Sequence, residues 1–429
     1  MTVVDLRAVS APMPGAVDRS LLVGPADDSL PAHLRRWGPL PPLPAEGLLD
    51  ELRAAGLRGR GGGGFPTADK LAIVRRASRG GRRPAVVVAN GIESEPLSLK
   101  DRTLLATNPH LVLDGVALAA QAAGADVAFL CVGADGAALA PLLHRAVAAR
   151  PADEVPVELV VAPPRYVASE ESALVNWLTT GRPLPTLVPP RPAERGVGGR
   201  PTLVDNVETL ATLAVIARLG AERWGAVGTP EEPGSMLVTV GGAVGRPGVQ
   251  EVPFGTAIAD VLDEAAAGRA AAVLVGGYFG TWLTEGAARR ARLSCQGLAA
   301  VGAAPGCGVV AVLPPDACPV VEVASVASWL AGQSAGQCGP CVHGLPAIAA
   351  ALGAVVTGGP VTDRAAADAR RWAAMVRGRG ACRMPDGAVG FVTSALDVFA
   401  DHLELHAGGG CDPQRHGGRW LAVPRSGRR

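Results

Sequence analysis

Two stretches near the start of the chain carry apolar residues at helical spacing, and a glycine-rich stretch separates them. The segment "PAEGLLDELRAA" at 44–55 has apolar residues three and four apart, and "TADKLAIVRRAS" at 67–78 repeats that spacing. This period predicts two α-helices, each with one face against a core. Thr67 is the expected N-cap of the second helix because its hydroxyl can accept a bond from the first turn.

Three further stretches have the pattern of a strand followed by a polar loop or a helix. Residues 85–89 form a short apolar run typical of a buried strand, and polar residues follow it directly. The segments "VELVVAPPRYVASEESALVNWL" and "TLVDNVETLATLAVIARLG" continue into helical spacing, with Ser169 and Asp205 as expected N-caps. Strands that alternate with helices predict an α/β fold, whose ligands bind past the carboxyl ends of the strands.

The second half of the chain changes from strand patterns to continuous helical spacing. Residues 235–265 predict two strands joined by glycine–proline turn chemistry and then an amphipathic helix. From Val320 onward, four segments have helical apolar spacing, which predicts a four-helix bundle.

Composition narrows the class of protein. The 429 residues are 48% hydrophobic and 18% charged, with a formal net charge of +1, which argues against a nucleic-acid surface or a polybasic membrane patch. The first twenty residues lack the apolar core of a signal peptide, and the most apolar stretch, "GLAAVGAAPGCGVVAVLPP", is broken by glycine. We therefore expect no membrane span, and scattered cysteines in such a chain predict a cytoplasmic location.

The glycine-rich loop has the chemistry of an anion site. Glycines let backbone N–H groups approach a ligand closely, and the following helix N-terminus adds positive potential. Arg60 and Lys70 flank the loop, and Lys70 is one of only two lysines, the other being Lys100. A flexible linker is the alternative interpretation of the loop taken alone.

A C-x-x-C pair, Cys338 and Cys341, carries the second chemical signal. Ala335 stands three residues ahead, where one more cysteine would extend the array. The pair fits a metal or cluster site that lacks one ligand, a redox dithiol, or two ordinary buried thiols. The dithiol interpretation is the weakest of the three because the flanking strand–helix context is missing. Four other cysteines in apolar surroundings are predicted to be small core residues: Cys131, Cys295, Cys307 and Cys318.

Five motifs in a fixed order carry a family resemblance. The motifs are "GLRGRGGGGFPTADK", "NGIESEPLSLKDR", "SEESALVN", "DNVETLATL" and "GQCGPC". Together they resemble the flavoprotein subunit of respiratory complex I and the diaphorase subunits of NAD-linked hydrogenases and formate dehydrogenases. The resemblance runs from about residue 45 to about residue 400. It implies an α/β chain with a Rossmann-like FMN/NADH-binding domain, a ubiquitin-like β-grasp module and a C-terminal four-helix iron–sulfur bundle.

The resemblance also implies domain bounds. A proline-rich arm occupies 1–44, and the FMN/NADH-binding domain occupies 45–230. The β-grasp module then covers 231–318, the iron–sulfur bundle 319–405, and a flexible tail 406–429.

Residue by residue, the same motifs imply a nucleotide and flavin site. Glu93 and Glu171 are expected to act in catalysis as orienting and electrostatic groups, without acid–base chemistry. The residues expected to bind FMN and NADH are Gly59, Arg60, Gly61, Gly62, Gly64, Phe65, Lys70, Asn90, Glu93, Tyr166, Glu170, Glu171, Asp205, Asn206 and Thr209. Three positions depart from the family: Ile92 replaces an aspartate, Ile73 an aromatic residue, and Ser169 a glycine.

The iron–sulfur site implied by the resemblance is incomplete. Cys338, Cys341 and Cys382 match three of the four family cysteines, and Ala335 occupies the first position. Three thiolates can hold a 4Fe-4S cubane with one open iron, or a 3Fe-4S cluster. The candidate substitutes for the fourth ligand are Cys411, His343 and His406, of which Cys411 is favoured because a glycine-rich tail could bend back.

The function implied is NADH dehydrogenase activity. Hydride would pass from NADH to FMN, and electrons would leave singly through the cluster to a partner, either a thioredoxin-like two-iron protein or a ferredoxin. The expected location is cytoplasmic, with a position peripheral to a membrane complex as a variant. The alternative hypothesis is a non-catalytic or flavin-deficient relative that serves assembly or electron relay, and the departures at Ile73, Ile92 and Ala335 support it.

Overall fold

A computed structural model describes residues 20–23, 27–81, 83–411 and 420–424, which fall into two compact units. The first unit comprises Met1–Ser94, Ser98–Val238 and Gly248–Thr256, and the second comprises Glu95–Leu97, Thr239–Pro247 and Ala257–Arg429. The predicted arm at 1–44 and the predicted tail at 406–429 lie partly outside the described residues.

The first unit alternates helices with strands, as the sequence pattern predicts. Its helices are α1 (Leu30–Trp37), α2 (Ala45–Ala54), α3 (Thr67–Gly80), α4 (Lys100–Thr107), α5 (Pro109–Ala123), α6 (Ala140–Ala148), α7 (Glu171–Thr180), α8 (Val207–Leu219) and α9 (Ala221–Trp224). Its strands are β1 (Ala85–Gly91), β2 (Ala125–Val132), β3 (Val157–Val161) and β4 (Thr202–Asn206).

The four strands form one parallel sheet in the order β3-β2-β1-β4. The sequence prediction of a buried strand at 85–89 is confirmed, and β1 continues to Gly91. The register of β1 against β4 sets Ala89 beside Asp205 and Asn90 beside Asn206. The carboxyl ends of the two strands therefore end level with each other, and their polar residues meet at one edge of the sheet.

Helix α5 is the centre of the first unit's core, and it packs against α8 at short range. Gly115 makes this approach possible, because a Cβ there would lie 2.0 Å from the backbone oxygen of Leu210. Next to Gly115 on α5, the buried carboxylate of Asp114 forms three ion pairs. Its oxygens lie 2.7 Å from a ring nitrogen of His33, 2.5 Å from the Arg218 guanidinium and 2.8 Å from the Arg150 guanidinium. A single buried anion thus joins α1, α5 and α8 with the loop after α6.

The second unit combines strands with a helical C-terminal region. Strand β5 (Ser235–Gly242) crosses from the first unit into the second, and β6 (Gly248–Pro253) belongs to the first. The remaining elements are α10 (Ile258–Glu264), β7 (Ala272–Val275), β8 (Thr281–Leu283), α11 (Glu285–Arg290), α12 (Cys295–Ala299), β9 (Val309–Leu313), α13 (Pro319–Gln333), α14 (Leu345–Thr357), α15 (Thr362–Val376), α16 (Met384–Val398) and α17 (Ala400–Ala407). The sheet order is β6-β5-β9-β7-β8, with β5 and β9 parallel and β7 antiparallel to both β9 and β8.

The helices that the sequence predicts are present, but three of the predicted N-caps are displaced by one residue. Thr67, the predicted N-cap, is the first residue of α3, and Pro66 occupies the N-cap position. The Thr67 N–H donates to the Leu57 carbonyl at 2.9 Å, which holds Thr67 at the helix start. Glu170 caps α7 in place of Ser169, since its longer side chain reaches the Ala173 N–H at 2.9 Å.

The third displaced N-cap is at α8, and one predicted helix is divided. Asp205 still belongs to β4, so Asn206 caps α8 by accepting from the Glu208 N–H at 3.0 Å. The last helical segment, predicted as one helix, is split into α16 and α17 at Phe399, whose φ of −104° and ψ of 23° leave the helical region.

One described segment, Pro340–Thr357, is long and apolar enough to cross a membrane by those two criteria, with a mean hydropathy of 1.6 over 18 residues. Buried core helices pass the same test, so this is weak evidence for a span.

Candidate active site at the carboxyl edge of the parallel sheet

A buried lysine organises the polar residues past β1 and β4. The ammonium of Lys100 lies 2.8 Å from Asp101, 2.7 Å from Glu208 and 3.2 Å from the side-chain oxygen of Asn206. Burial opposes the charge on Lys100, but Asp101 and Glu208 raise its pKa above the usual value. Burial also raises the pKa of Asp101 to about 6, against the lowering effect of Lys100.

Glu93 is fully engaged by the protein. One carboxylate oxygen accepts from the Ser98 hydroxyl at 2.7 Å and the Asp101 N–H at 2.9 Å. The other accepts from the Arg102 N–H at 3.1 Å and the Arg102 Nε–H at 2.9 Å. Glu93 therefore fixes the start of α4, and through it the position of Lys100.

The glycine-rich loop lies against the start of α8. The Arg60 N–H donates to the buried hydroxyl of Thr209 at 2.9 Å, and a Cβ on Gly61 would lie 3.5 Å from the Cβ of Asn206. Gly62 and Gly64 have φ values of 95° and 59°, which glycine adopts without strain. The loop and the sheet edge, distant in sequence, thus form one site.

The side chain of Arg60 is used within the protein. Its guanidinium lies 4.4 Å from the centre of the Phe254 ring and donates to the Ser235 carbonyl at 3.2 Å. The structure therefore gives Arg60 a packing role beside the loop, in addition to the expected one at the phosphates.

Lys70 joins the first turn of α3 to two carboxylates. Its ammonium lies 3.0 Å from Glu171 and 3.6 Å from Asp205, and it donates to the Val204 carbonyl. Burial opposes the charge, but Asp205 and Glu171 raise the pKa of Lys70. The two expected site carboxylates are thereby held on one cation.

Asp205 provides the test of whether a flavin fits. Its side chain is 5% exposed, and Oδ2 has no hydrogen-bond partner among the described residues. Burial raises the pKa of Asp205 to about 6, although Lys70 lowers it. A buried acceptor without a donor is costly, so this oxygen fits a ligand hydroxyl, such as those of the FMN ribityl chain. The next residue, Asn206, lies against the glycine loop, since a Cβ on Gly61 would be 3.5 Å from its Cβ.

The other expected site residues surround this edge. The side chain of Asn90 donates to the Ser169 carbonyl at 2.9 Å, and the Ser169 hydroxyl lies 2.5 Å from that of Ser94. Tyr166 is buried in a short 3-10 turn before α7, and Phe65 is 43% exposed at the end of the glycine loop. Glu170, expected near the cofactors, uses its carboxylate to cap α7.

The two apolar departures are core-facing. Ile92 is buried in the cluster beneath the sheet's second face, and Ile73 packs from α3 against the main core. Neither side chain supplies a polar group to the site.

Three cysteines converge at one end of the helical region of the second unit. Cys338 and Cys341 flank the start of a π-helical turn at Pro340–Gly344, and their thiols are hydrogen-bonded. Burial, the Cys338 hydrogen bond and the charge effects of Cys338 and Cys382 raise the pKa of Cys341 to about 11. The Cys341 thiol thus interacts with both Cys338 and Cys382, and three cysteine thiols suit an iron–sulfur cluster, which binds iron through thiolates.

The favoured substitute for the fourth cluster ligand is wrong. Cys411 lies 3.8 Å from the sulfur of Cys318, which immediately precedes α13. Cys338 follows the opposite end of that helix, and fifteen residues of α-helix span about 22 Å. His406, another candidate, lies beside Cys318 as well, at 3.2 Å, and His343 is exposed. Of the four cysteines predicted to be core residues, Cys131 and Cys318 are buried, whereas Cys295 is exposed and Cys307 is half-buried, so the prediction is wrong for those two.

Sequence reasoning missed the role of the ionic network around Lys100 and the grouping around Cys318. A signal for the second was present, since His402, His406 and Cys411 follow one another at spacings typical of metal ligands.

Two families match this chain. Residues 52–215 match the Nuo51 FMN-binding domain. This range of the chain contains the glycine loop and the carboxyl edge of the parallel sheet. Residues 322–406 match the NADH-ubiquinone oxidoreductase-F iron-sulfur binding region, which includes the three convergent cysteines.

Curated relatives match over most of their length. The F subunits of the NADH-quinone oxidoreductases of Mycobacterium bovis and Mycobacterium tuberculosis are each 31% identical over 401 residues, covering 87% of this chain and 88% of theirs. The corresponding F subunit of Streptomyces coelicolor is 29% identical over 392 residues, which cover 86% of this chain and 85% of that subunit.

A solved structure matches as well. The NAD⁺-reducing [NiFe]-hydrogenase in its H₂-reduced state superposes with a TM-score of 0.79 at 34% sequence identity. The match covers 85% of this chain and 63% of the hydrogenase chain, so this chain spans under two thirds of that protein.

Proposed function

The chain belongs to the family of NADH-quinone oxidoreductase F subunits, and from that premise we propose that its carboxyl-edge site binds FMN and NADH and that the convergent cysteines hold an iron–sulfur cluster that would accept the electrons. Members of this family are oxidoreductases with an FMN-binding domain and an iron–sulfur region. The observation that carries the proposal is the buried acceptor of Asp205, which has no donor among the described residues and lies at the strand end against which the glycine loop packs.

The residues divide into binding groups and supporting groups. We assign the ribityl hydroxyls to Asp205 and the phosphate to the loop backbone with the start of α8, which Asn206 and Thr209 fix. Phe65 and the loop glycines form the nucleotide side, and Lys70 supplies a point charge next to an anion. The further proposed cofactor contacts are those of Gly59, Arg60, Gly61, Gly62, Gly64, Asn90, Tyr166 and Glu170.

Glu171 and Glu93 serve by position. Glu171 is held by Lys70 at 3.0 Å, which orients its carboxylate toward the site. Glu93 holds α4 and Lys100 in register, and its role is therefore positioning. When bound, FMN accepts a hydride from NADH and releases electrons one at a time, while the protein binds, orients and excludes water.

The cluster proposal rests on Cys338, Cys341 and Cys382. Three thiolates support a 4Fe-4S cluster with one open iron, or a 3Fe-4S cluster. Electrons would continue to a thioredoxin-like two-iron partner or a ferredoxin, on a chain located in the cytoplasm or peripheral to a membrane complex.

The finer architecture belongs to the same proposal. Strands β5 to β9 with α10 support a ubiquitin-like β-grasp module at 231–318, and α13 to α16 support a four-helix iron–sulfur bundle at 319–405. The FMN/NADH-binding domain would then occupy 45–230.

Flavin binding to the apoprotein tests the proposal through two alanine substitutions in one loop. In Gly61→Ala the new methyl group lies 3.5 Å from the Cβ of Asn206, which is an ordinary contact within the protein. It stands beside the start of α8, which we assign to the FMN phosphate. We expect FMN affinity to fall about tenfold, roughly 1.4 kcal/mol, as measured by flavin fluorescence quenching.

Gly63→Ala is the matched control, because its methyl group meets no atom within 4 Å and the position has an ordinary φ. Its FMN affinity should equal that of the wild type. If neither wild type nor control binds FMN, the chain is the flavin-deficient relative and the proposal fails.

A further inference from the structure

Two cysteines and two histidines of the second unit gather at the end of α13 that lies away from the proposed cluster. They are Cys318, His402, His406 and Cys411, and their ligand atoms all lie within 4.8 Å of one another. We propose that these four residues bind a single structural Zn²⁺ ion.

The local fold delivers the four ligands to one point. His402 and His406 stand one turn apart on α17, so both rings lie on the same face of that helix. The chain then reverses: the Gly409 N–H donates to His406, the Gly410 N–H donates to Leu405 at 2.8 Å, and Gly409 has a φ of 70°. This turn brings Cys411 back to His402, with its sulfur 3.5 Å from Nε2.

Three of the six ligand separations are known, and they lie within about 0.4 Å of the edges of a tetrahedron around one ion. With Zn–S bonds of about 2.3 Å and Zn–N bonds of about 2.0–2.1 Å, the edges are about 3.8 Å for S–S and about 3.6 Å for S–N. The measured separations are 3.8 Å for Cys318–Cys411, 3.5 Å for Cys411–His402 and 3.2 Å for Cys318–His406. Each of the two thiols lies next to one imidazole. In a two-iron centre with two cysteines and two histidines, the cysteines would bind one iron and the histidines the other, so this mixed pairing favours a single ion.

The surroundings favour a closed, structural site. Cys318 is 2% and His406 1% exposed, so no substrate reaches that thiol–imidazole pair. Cys318 belongs to an apolar cluster with Val320 and Val355, and Cys411 packs against it. Zn²⁺ with two thiolates and two neutral imidazoles has no net charge, which suits burial among apolar side chains.

The ion would tie the last helix and the following turn to the start of α13. The segment after the site returns to the same place, since the Trp420 and Leu421 N–H groups donate to Glu322 at 3.0 and 3.2 Å. Folding and metal binding would therefore be coupled in this part of the chain.

The test is the zinc content and zinc K-edge absorption of the full chain, purified without oxygen from zinc-supplemented cells. We expect one zinc per chain, with two sulfur and two nitrogen neighbours. Cys411→Ser and His402→Gln should each lower the zinc content at least tenfold after dialysis against a weak chelator. Cys411→His should retain zinc, because imidazole can replace thiolate as a ligand.

The matched controls use the same substitutions at exposed positions, Cys295→Ser and His144→Gln, and these should keep full zinc. Cys341→Ser should also keep zinc, which separates this site from zinc captured by the iron–sulfur cysteines. Far-ultraviolet circular dichroism confirms that each variant is folded. A zinc-free wild type after reconstitution, zinc retained by folded Cys411→Ser and His402→Gln, or a Cys318–Cys411 disulfide in the anaerobic protein would each overturn the proposal.

Discussion

Lys70 shows how one residue links the sequence bias to the site. The chain has only two lysines, and both lie against carboxylates at the carboxyl edge of the same sheet, with Lys100 buried and Lys70 half-buried. A compact ammonium fits between Glu171 and Asp205, where a planar guanidinium needs more room and a forked acceptor.

Replacing Lys70 should affect NADH more than flavin. Lys70→Ala removes the point charge that we assign to an anion on the nucleotide side, and we expect the apparent NADH constant to rise about tenfold, roughly 1.4 kcal/mol. FMN content should change little, as measured by released flavin per chain. Lys70→Arg is the matched variant that keeps the positive charge. Its apparent NADH constant should lie between those of the wild type and Lys70→Ala. An equal loss of flavin and NADH binding would assign Lys70 to the flavin or the fold instead.

Asp205 gives a pH dependence of known sign. Its folded-state pKa of about 6 lies above the ordinary 3.8, so the folded chain holds this proton more tightly than the unfolded chain. The stability from this group is therefore full below about pH 4 and is lost as the pH rises to about 6. Asp205→Asn should stabilise the FMN-free protein at pH 7.5 relative to pH 4.5, by up to about 2 kcal/mol. Calorimetry at the two pH values measures this, and a relative loss of stability at pH 7.5 would contradict the assignment.

At the scale of elements, the contact between α5 and α8 determines how the site residues meet. Helix α8 carries Glu208 and Thr209 to Lys100 and the glycine loop, and its position against α5 depends on the missing side chain at Gly115.

Gly115→Ala should therefore be strongly destabilising. The new methyl carbon would lie 2.0 Å from a backbone oxygen of Leu210, which cannot rotate away. We expect a loss of about 3 kcal/mol in the free energy of unfolding, together with weaker FMN binding. Gly353→Ala on α14 is the control, since its Cβ meets no atom within 4 Å, and it should stabilise that helix by up to about 1 kcal/mol. Unchanged stability of Gly115→Ala would mean that the two helices are further apart.

The elements could be predicted where the signal is local. The periodicity around the glycine loop, the apolar run of β1 and the strand–loop–helix pattern before α7 all reappear in the structure. The helix starts were missed by one residue because caps depend on contacts such as that of Thr67 with Leu57. The network of Lys100 with Glu208 joins residues more than a hundred positions apart, and no sequence pattern specifies it.

At the scale of the whole molecule, two cysteine-rich groups stand at opposite ends of α13. The convergent cysteines Cys338, Cys341 and Cys382 belong to the proposed redox path, and the group around Cys318 belongs to the structure of the C-terminal region. The resemblance predicts the first group. The spacing of His402, His406 and Cys411 is a partial signal of the second group, but no sequence pattern joins them to Cys318, the fourth member, which precedes α13.

Substitution of Ala335 by cysteine should give the proposed cluster a fourth thiolate. Ala335 lies in the loop between α13 and the π-helical turn, where Gly336 has a φ of 68°. Ala335→Cys should supply a fourth thiolate and slow the decay of the cluster in air, while flavin reduction by NADH stays unchanged. Iron content and the visible spectrum followed over time measure this effect, with Ala335→Ser as the control that adds no thiolate. If Ala335→Cys decays as fast as the wild type, the open iron is not the weak point.

An anaerobic titration of the purified chain with NADH tests the central claim most directly. If the carboxyl edge binds FMN and NADH together, the protein carries FMN, and NADH bleaches the flavin absorbance to the same end point as dithionite. A chain that takes up no FMN on reconstitution, or a bound flavin that dithionite bleaches and excess NADH does not, would contradict the account.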